Sequence, residues 1–412
     1  MISEIQIENF KSIARLSLQP GSVTVLIGEN GSGKSNILEA ISFAAAASAN
    51  KLDDEFLYNR GIRVTEQEWM LSKFVRPTTI KSKGKKATIN RPFVCHLSGT
   101  GESDRLEIRA SPYNDTSGLF GRGWQTSPTV TLDEIERELD SEDFRIGLEG
   151  FVAGLSDAVR EQMGGALRDI FAHRLATSKK RKKFPEISAA LSLSDFLVFA
   201  PENSVLRKFE TEGAIKPLGP KGEGLLKLLT ASAAVGNGRF ASELKKQLGL
   251  LGWFGDLRLP TESDEIMGRL RISDRWLAKD GPVFDQRSAN EGFLFLLFYF
   301  TLLLSKQTPA FFAIDNLDAS LNPKLCAELM RQIALLAERN CKQVICTTHN
   351  PAVLDGLNLH DDKQRLYVVS RNSEGHTVVN RVKAPRPRSE GVPVRLSIAF
   401  MSGLLGGLPD HF

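Results

Sequence analysis

Cysteine, histidine and long apolar runs are scarce in this chain of 412 residues, and each scarcity argues against a class of protein. The four cysteines show no C-x-x-C spacing, which is typical of buried thiols in a reducing cytoplasm rather than of a metal site. The six histidines show neither metal-ligand spacing nor the pattern of an HNH nuclease. The longest apolar run, Phe293 to Leu304, is too short to cross a bilayer. We therefore expect a cytoplasmic protein with no membrane span and no nuclease motif of its own.

A strong charge imbalance and a signal peptide are lacking as well. The net charge of +4 permits contact with nucleic acid through local patches but does not require it. The first residues lack the basic and apolar regions of a signal peptide. Contents of 42% hydrophobic and 25% charged residues are ordinary for a globular protein, and the length suits one large α/β domain with an insertion or two domains.

One stretch carries a specific chemical signal. Residues 28–35 read Gly-Glu-Asn-Gly-Ser-Gly-Lys-Ser and fit the phosphate-binding pattern G-x-x-x-x-G-K-[ST]. Before it, Val23–Ile27 predicts a buried strand, and Ser35 to Ala47 predicts a helix. In such a loop the backbone N–H groups and the helix dipole point at an anion. We expect Lys34 to reach the β- and γ-phosphates of a nucleotide and Ser35 to ligate Mg²⁺. The remaining residues predicted to bind the nucleotide here are Asn30, Gly31, Ser32, Gly33 and Asn36.

A second metal ligand is predicted far along the chain. A phosphate-binding loop needs a carboxylate on a neighbouring strand to hold Mg²⁺. The apolar run Phe311–Ile314 is followed by Asp315, which matches this Walker B pattern. The separation between Lys34 and Asp315 predicts a large insertion between the two halves of the ATPase.

The start of the chain resembles a known family. It opens with Ile-Gln-Ile-Glu-Asn-Phe-Lys-Ser-Ile at residues 5–13 and reaches the phosphate-binding loop within thirty residues. This resembles the ABC-type ATPase heads of the SMC, RecF and OLD families. The resemblance implies an α/β fold with a mixed, mostly parallel sheet and an antiparallel subdomain. It implies that Lys11 and Ser12 lie beside the nucleotide, while a surface turn with a solvated lysine is the alternative.

Further motifs follow in the order found in that family. Gln286–Gly292 leads into the apolar helix Phe293–Leu304 and takes the place of the ABC signature. Ser288 and Glu291 fall where the family has its serine and acidic residue, although Ala289 and Asn290 replace two glycines. The signature of one head captures the γ-phosphate held by the other, which implies that two copies enclose two ATP molecules. The helix is also expected to be part of the core.

Two residues near the γ-phosphate define the expected chemistry. A histidine at a strand end after Walker B contacts the γ-phosphate in the family, and His349 takes that place. Many such heads have glutamate directly after the Walker B aspartate as general base, whereas this chain has Asn316. An amide cannot accept the proton of water, and a missing general base costs about 10²- to 10⁴-fold in rate. Asp318, on the same face of an extended strand, offers partial substitution. Slow hydrolysis is therefore expected.

The middle of the chain is less informative. We divide the chain into an ATPase half (1–128), a short helical insertion (129–195) and a second half (196–412). Sustained heptads are missing, which excludes the long coiled coil of SMC proteins. Within these parts we expect a strand at Glu68–Phe74 and a loop at Tyr113–Pro128. The basic runs Lys81–Lys86 and Lys179–Lys183 are either solvated or contact the DNA backbone without sequence preference. A γ-phosphate-sensing glutamine is not assigned; Gln67 and Gln125 are the candidates.

A stand-alone head of this kind, with no nuclease, is similar to the ATPase subunits of the Septu anti-phage systems. That resemblance implies a homo-oligomer, either a head-to-tail dimer or an assembly of dimers, with a separate HNH-type nuclease whose activity ATP gates. A RecF-like DNA-repair ATPase and a head for another partner, such as a toxin or transporter, remain alternatives.

Overall fold

The computed structural model describes residues 1–49, 51–74, 78–82, 85–89, 91–101, 105–114, 122–129, 191–208, 217–235, 238–259, 269–277, 283–384 and 395–408. The strands are β1 Ile2–Phe10, β2 Ile13–Leu18, β3 Val23–Ile27, β4 Thr78–Ser82, β5 Lys85–Ile89, β6 Phe93–Gly99, β7 Arg105–Asn114, β8 Arg122–Thr129, β9 Val198–Phe199, β10 Phe254–Arg258, β11 Arg271–Asp274, β12 Phe311–Ile314, β13 Gln343–Thr348, β14 Gln364–Arg371 and β15 Thr377–Val382. The helices are α1 Lys34–Ser48, α2 Asp54–Asn59, α3 Gln67–Met70, α4 Asn203–Lys208, α5 Leu225–Ala234, α6 Arg239–Leu248, α7 Glu291–Leu304, α8 Pro323–Arg339 and α9 Leu396–Met401, with a 3₁₀ turn at Pro351–Gly356.

A six-stranded sheet carries the predicted nucleotide motifs. Its strand order is β15-β14-β3-β13-β12-β9, and every neighbouring pair is parallel except β14 and β15. Strand β3 is buried along its whole length, as is β13, so both read as apolar runs rather than alternating strands. Because the strands next to β3 run parallel to it, their carboxyl ends meet at one edge, where the phosphate-binding loop leaves β3.

An antiparallel sheet in the order β2-β1-β6-β7-β8 covers the other side of α1. Helix α1 is buried almost all round, and its Phe43 packs edge-on against Phe93 of β6 and Trp124 of β8. Helix α1 is thus sandwiched between the two sheets, which fixes its first turn at the phosphate site. The predicted combination of a mostly parallel sheet with an antiparallel sheet is confirmed.

Helix α7, the apolar helix predicted to follow the signature, is the centre of a second core. All its residues from Phe293 to Leu303 are buried, and they pack against α5, α6, α8 and the central sheet. Burial of a large apolar side chain contributes about 1.5–3 kcal/mol before entropy costs, so α7 anchors this half of the fold.

Two local predictions were wrong. The segment predicted as a strand at Glu68–Phe74 begins with helix α3 instead, and the backbone oxygen of Met70 in α3 accepts a hydrogen bond from the Lys11 amide at 2.9 Å. The segment predicted as a loop at Tyr113–Pro128 contains β8, which pairs with β7 over eight residues. Tertiary pairing has overridden local propensity in both places.

Several predictions lie outside the described residues. Most of the helical insertion at 129–195, and with it the basic run Lys179–Lys183, belongs to this group. Around the basic run Lys81–Lys86, β4 and β5 pair antiparallel with Lys81 opposite Lys86, and nothing is described of their side chains. Among the described helices, none has the length and apolar character needed to cross a membrane.

Candidate nucleotide site

The phosphate-binding loop is held in a conformation that needs glycine. Gly31 and Gly33 have φ angles of 77° and 108°, and Gly33 directly precedes α1 without a side-chain cap. A Cβ atom on Gly33 would lie 2.1 Å from Oγ1 of Thr377, so any side chain there would force a rearrangement. Because no side chain caps the start of α1, its first amides could donate to an anion, which is the arrangement that the sequence pattern predicts.

Lys34 folds back over this loop. Its ammonium donates to the backbone oxygens of Gly28 at 2.9 Å and Glu29 at 2.8 Å, and lies 3.4 Å from Nδ1 of His349. Burial lowers the pKa of Lys34 to about 8, although Asp315 and Asp318 oppose this effect. Among the described residues the hydrogen-bond partners of this buried ammonium are two backbone oxygens and a ring nitrogen, none of them a carboxylate, so it is suited to bind an added anion.

Ser35 and Asp315 meet at the start of α1. The Ser35 hydroxyl donates to the Asp315 carboxylate at 3.0 Å, across 280 residues of sequence. The Thr347 hydroxyl from β13 also donates to this carboxylate and so fixes its orientation. Two oxygens 3.0 Å apart can both lie about 2.1 Å from one ion, the distance that Mg²⁺ requires of its ligands. The residues present therefore fit the predicted magnesium site.

The chain turns sharply after Asp315. Asn316 has a φ angle of 54°, in the left-handed region that asparagine tolerates better than most residues, and its backbone amide donates to Oγ1 of Thr347 at 2.9 Å. The expectation that Asn316 and Asp318 share one face of an extended strand was wrong, because β12 ends at Ile314. Asn316 is exposed, and in the described part of the chain its side chain forms no hydrogen bond.

Asp318 instead orients the end of β13. Its carboxylate accepts a hydrogen bond from the Thr348 hydroxyl at 2.6 Å and from the backbone amide of His349 at 3.3 Å. Burial and the nearby Lys34 ammonium lower the pKa of His349, so at neutral pH the imidazole is neutral. The imidazole lies 3.4 Å from the Lys34 ammonium through Nδ1 and also has a hydrogen bond with the Gly28 backbone, so both contacts hold it beside the phosphate-binding loop.

Lys11 and Ser12 also lie next to α1, at the turn between β1 and β2. The Lys11 ammonium forms an ion pair with the buried carboxylate of Glu39 at 2.5 Å, and the Arg63 guanidinium pairs with the same carboxylate at 2.6 Å. Arg63 also donates to Asn36 Oδ1 at 3.1 Å. Glu39 therefore holds two cations beside the first turns of α1, which the sequence analysis did not identify.

Ser12 belongs to a chain of hydrogen bonds that supports the loop from outside. Its hydroxyl accepts from Asn36 at 2.7 Å and lies 2.7 Å from Oγ1 of Thr377, which donates to the Ser32 carbonyl at 2.9 Å. Arg371 donates to the Gly31 carbonyl at 2.9 Å. Thr377 and Arg371 are about 340 residues from the loop, and no local pattern in the sequence could have pointed to them.

The interior of the loop carries one polar group without a partner. The Ser32 hydroxyl is fully buried and has no hydrogen-bond partner among the described residues. It lies 3.2 Å from the position that a Cβ atom on Gly28, the first residue of the loop, would take. An uncompensated buried hydroxyl is costly, and a phosphate oxygen in the loop would satisfy it. Exposed Asn30 lies at the outer tip of the same loop.

The predicted signature turn lies at the start of α7. Asn290 caps this helix by accepting a hydrogen bond from the Phe293 amide at 2.8 Å. Ser288 is exposed in the turn before it, and Glu291, the first helical residue, accepts from the Ser320 hydroxyl at 2.6 Å. Within the described residues, neither Ser288 nor Glu291 is hydrogen-bonded to the phosphate-binding loop of its own chain. The structure therefore places these two residues outside the cluster formed by Lys34, Ser35, Asp315 and His349.

Comparison with known families gives a match over most of the chain. The family described as "AAA domain, putative AbiEii toxin, Type IV TA system" matches residues 23–355. Among curated proteins, the chain is 35% identical over 100 residues to the DNA replication and repair protein RecF of Bacillus cereus (strain G9842). It is 41% identical over 110 residues to the chromosome partition protein Smc of Methanocaldococcus jannaschii.

These curated relatives are matched only in part. The match covers 22% of this chain and 26% of RecF, and 25% of this chain and 9% of Smc. A solved structure, the SmcHead bound to the C-winged helix domain of ScpA, is similar over 93% of this chain and 98% of that chain, with a TM-score of 0.52 and 14% identity. At that identity the likeness establishes an SMC-head-like fold and nothing about partners.

Proposed function

The chain belongs to this family of AAA domains, and we propose that it is an ATP-binding head that closes around ATP together with a second copy of itself. The observation that carries the proposal is the convergence of Lys34, the Ser35–Asp315 pair and His349 at the carboxyl edge of one sheet, with distances of 3.0 Å for the pair and 3.4 Å between Lys34 and His349. In this proposal Ser35 and Asp315 hold Mg²⁺, and Lys34 and His349 contact the terminal phosphate.

In this proposal the second copy supplies the signature turn that contacts the γ-phosphate. In the described residues the signature turn at Ser288 is exposed and forms no hydrogen bond with its own phosphate-binding loop. We assign Ser288 and the first turn of α7, which begins at Glu291, to the γ-phosphate held by the partner. A serine hydroxyl beside a helix N-terminus is an anion site of the required kind.

We further propose that hydrolysis is slow and that the ATP-bound dimer is long-lived. Asn316 occupies the position where a general base is needed, and Asp318 is already bonded to Thr348 and the His349 amide at 2.6 and 3.3 Å. Light scattering with and without MgATP measures the dimer, and a multiple-turnover assay measures the rate. A monomer at saturating ATP, or a kcat near the ordinary enzyme value of about 10 s⁻¹, would contradict this proposal.

The role we favour is gating of a separate HNH-type nuclease in anti-phage defence, on the basis of the Septu-like arrangement of the motifs. If this is correct, the gene should lie beside an HNH nuclease gene, and ATP should change cleavage of plasmid DNA by the co-purified complex. Cleavage that is the same with ATP, without ATP and without this chain would argue against gating.

A DNA-repair role is the second candidate, because the curated matches include RecF and Smc at 35% and 41% identity over about a quarter of the chain. It predicts duplex binding that depends on nucleotide and weakens steeply with salt. Neutralising the basic run Lys179–Lys183 should then abolish this binding. Neighbouring replication or repair genes would favour this role over defence.

A further inference from the structure

The order of the strands in the six-stranded sheet places different elements on the two sides of the nucleotide site. Strand β13, with His349 at its end, flanks β3 on one side, and β14 flanks it on the other. The register pairs Val368 of β14 with Ile27 of β3, so Arg371 lies level with the phosphate-binding loop. The hairpin between β14 and β15, residues 372–376, therefore stands at the same edge as the loop, on the side away from His349.

An exposed aromatic side chain packs against this hairpin. The Phe74 ring lies 5.3 Å from the His376 ring at an interplanar angle of 72°, and the Arg371 guanidinium lies 6.0 Å from the Phe74 centroid. Gly375 leaves room for the ring, since a Cβ atom there would lie 3.1 Å from Phe74 Cε1. Phe74 is nevertheless 44% exposed, so part of its ring is accessible to a ligand.

Arg371 connects this cluster to the phosphate-binding loop. Its Nε donates to the Gly31 carbonyl at 2.9 Å and its Nη1 to the Gly375 carbonyl at 2.5 Å. Two residues after Gly375, Thr377 is bonded to the Ser32 carbonyl at 2.9 Å. The hairpin and the loop are thus fixed to each other at two points, and the Phe74 ring has a defined position relative to the phosphate site.

We propose that Phe74, supported by His376 and Arg371, is the stacking surface for the purine base of the bound nucleotide. This inference rests on the proposed function and adds the base subsite to it. A triphosphate whose terminal phosphate contacts Lys34 and His349 on the β13 side directs its ribose and base to the β14 side. The exposed face of an aromatic ring offers a base a contact that excludes water without requiring a particular hydrogen-bond pattern.

Stacking on the Phe74 ring should add affinity for a nucleotide but discriminate little between adenine and guanine. Every base has a π-face, so stacking tolerates adenine and guanine alike. Removing one stacking ring typically weakens binding by roughly 5- to 150-fold. We expect F74A to weaken binding of MgATP and MgGTP about tenfold each, at the low end of that range because Arg371 and His376 remain.

The experiment compares a ligand with a base and one without. Isothermal titration calorimetry with MgATP and with inorganic triphosphate is performed on the wild type, F74A and W69A. Trp69 is the matched control, because it is an exposed aromatic (58%) in the same segment and contacts Lys73 rather than the hairpin. F74A should lose affinity for MgATP and keep that for inorganic triphosphate, and W69A should resemble the wild type with both ligands.

A second variant gives a readout independent of affinity. In F74W, MgATP should quench the fluorescence of the new tryptophan, whereas inorganic triphosphate should not. The inference is overturned if F74A binds MgATP as the wild type does, if it loses both ligands equally, or if F74W responds equally to both. A wild type that binds neither ligand would instead overturn the proposed ATP-binding function.

Discussion

Replacing Asn316 with glutamate should raise the rate of ATP hydrolysis. Asn316 directly follows Asp315, where a carboxylate could accept a proton from the attacking water. In the described residues the Asn316 side chain is exposed and makes no hydrogen bond, so a substitution there breaks no side-chain hydrogen bond. N316E therefore adds a general base at a position that is otherwise unused.

N316E should have two effects of predictable size, one on the rate of hydrolysis and one on the stability of the fold. A positioned general base contributes about 10²- to 10⁴-fold in rate, equivalent to about 3–5 kcal/mol of activation free energy. The φ angle of 54° favours asparagine, and a glutamate in that conformation costs about 1–2 kcal/mol of folding free energy. N316E should accordingly hydrolyse ATP at least about a hundredfold faster while unfolding at a slightly lower temperature.

N316Q is the matched control, since glutamine has the length of glutamate but cannot accept the proton. It should show the same loss of thermal stability as N316E with no gain in rate. Single-turnover hydrolysis, initial ATP affinity and dimer lifetime are measured for all three proteins. If N316E is no faster than N316Q while binding ATP equally well, position 316 does not face the attacking water, and slow turnover needs another cause.

Three other predictions test separate parts of the site. S288R should abolish ATP-dependent dimerisation in light scattering and leave the ATP affinity of the monomer unchanged, because in the proposed dimer Ser288 contacts the nucleotide of the partner and not that of its own chain. G33A should lose ATP binding and unfold at a lower temperature, since its φ angle is 108° and a Cβ atom would lie 2.1 Å from Oγ1 of Thr377. Burial lowers the pKa of Lys342 from 10.5 to about 8, so the unfolded chain binds more protons between these values and this residue makes stability rise with pH there. Relative to K342M, the wild type should gain about 2 kcal/mol of unfolding free energy between pH 7.5 and 9.5 in urea denaturation; curves that stay parallel would contradict this.

Motifs that are local in sequence were predictable. The loop at residues 28–35 is a continuous pattern with its strand before it and its helix after it, and the structure has β3 and α1 there. Asp315 followed from an apolar strand that ends in a carboxylate, and His349 from the resemblance to ABC-type heads, in which a histidine ends a strand after Walker B. Parallel strands bring such ends to one edge of a sheet, so their assembly required only the order of the motifs.

Contacts that depend on tertiary structure were not predictable from one sequence. The Glu39 carboxylate, which pairs with Lys11 and Arg63, appears in the sequence only as an acidic residue in an apolar helix. Trp124 lies in a segment rich in glycine, serine and threonine that resembles a loop, yet it packs on Phe43 at 4.9 Å and its strand pairs with β7. Edge strands of this composition are defined by their neighbours rather than by their own propensity.

The two halves of the proposed composite site are physically joined within each chain. The first turn of α7, assigned to the partner's ATP, is bonded through Glu291 to Ser320 at 2.6 Å. Ser320 belongs to the same loop as Asp318, which holds the Thr348 hydroxyl and the His349 amide beside the chain's own phosphate site. A shift of α7 on contact with the partner's γ-phosphate would therefore reach His349 through a short series of bonded residues. Because coupling between two binding sites is reciprocal, any change that ATP at one site makes in the affinity of the other should be matched by an equal effect in return, which ATP titrations of the dimer would measure as a Hill coefficient different from one.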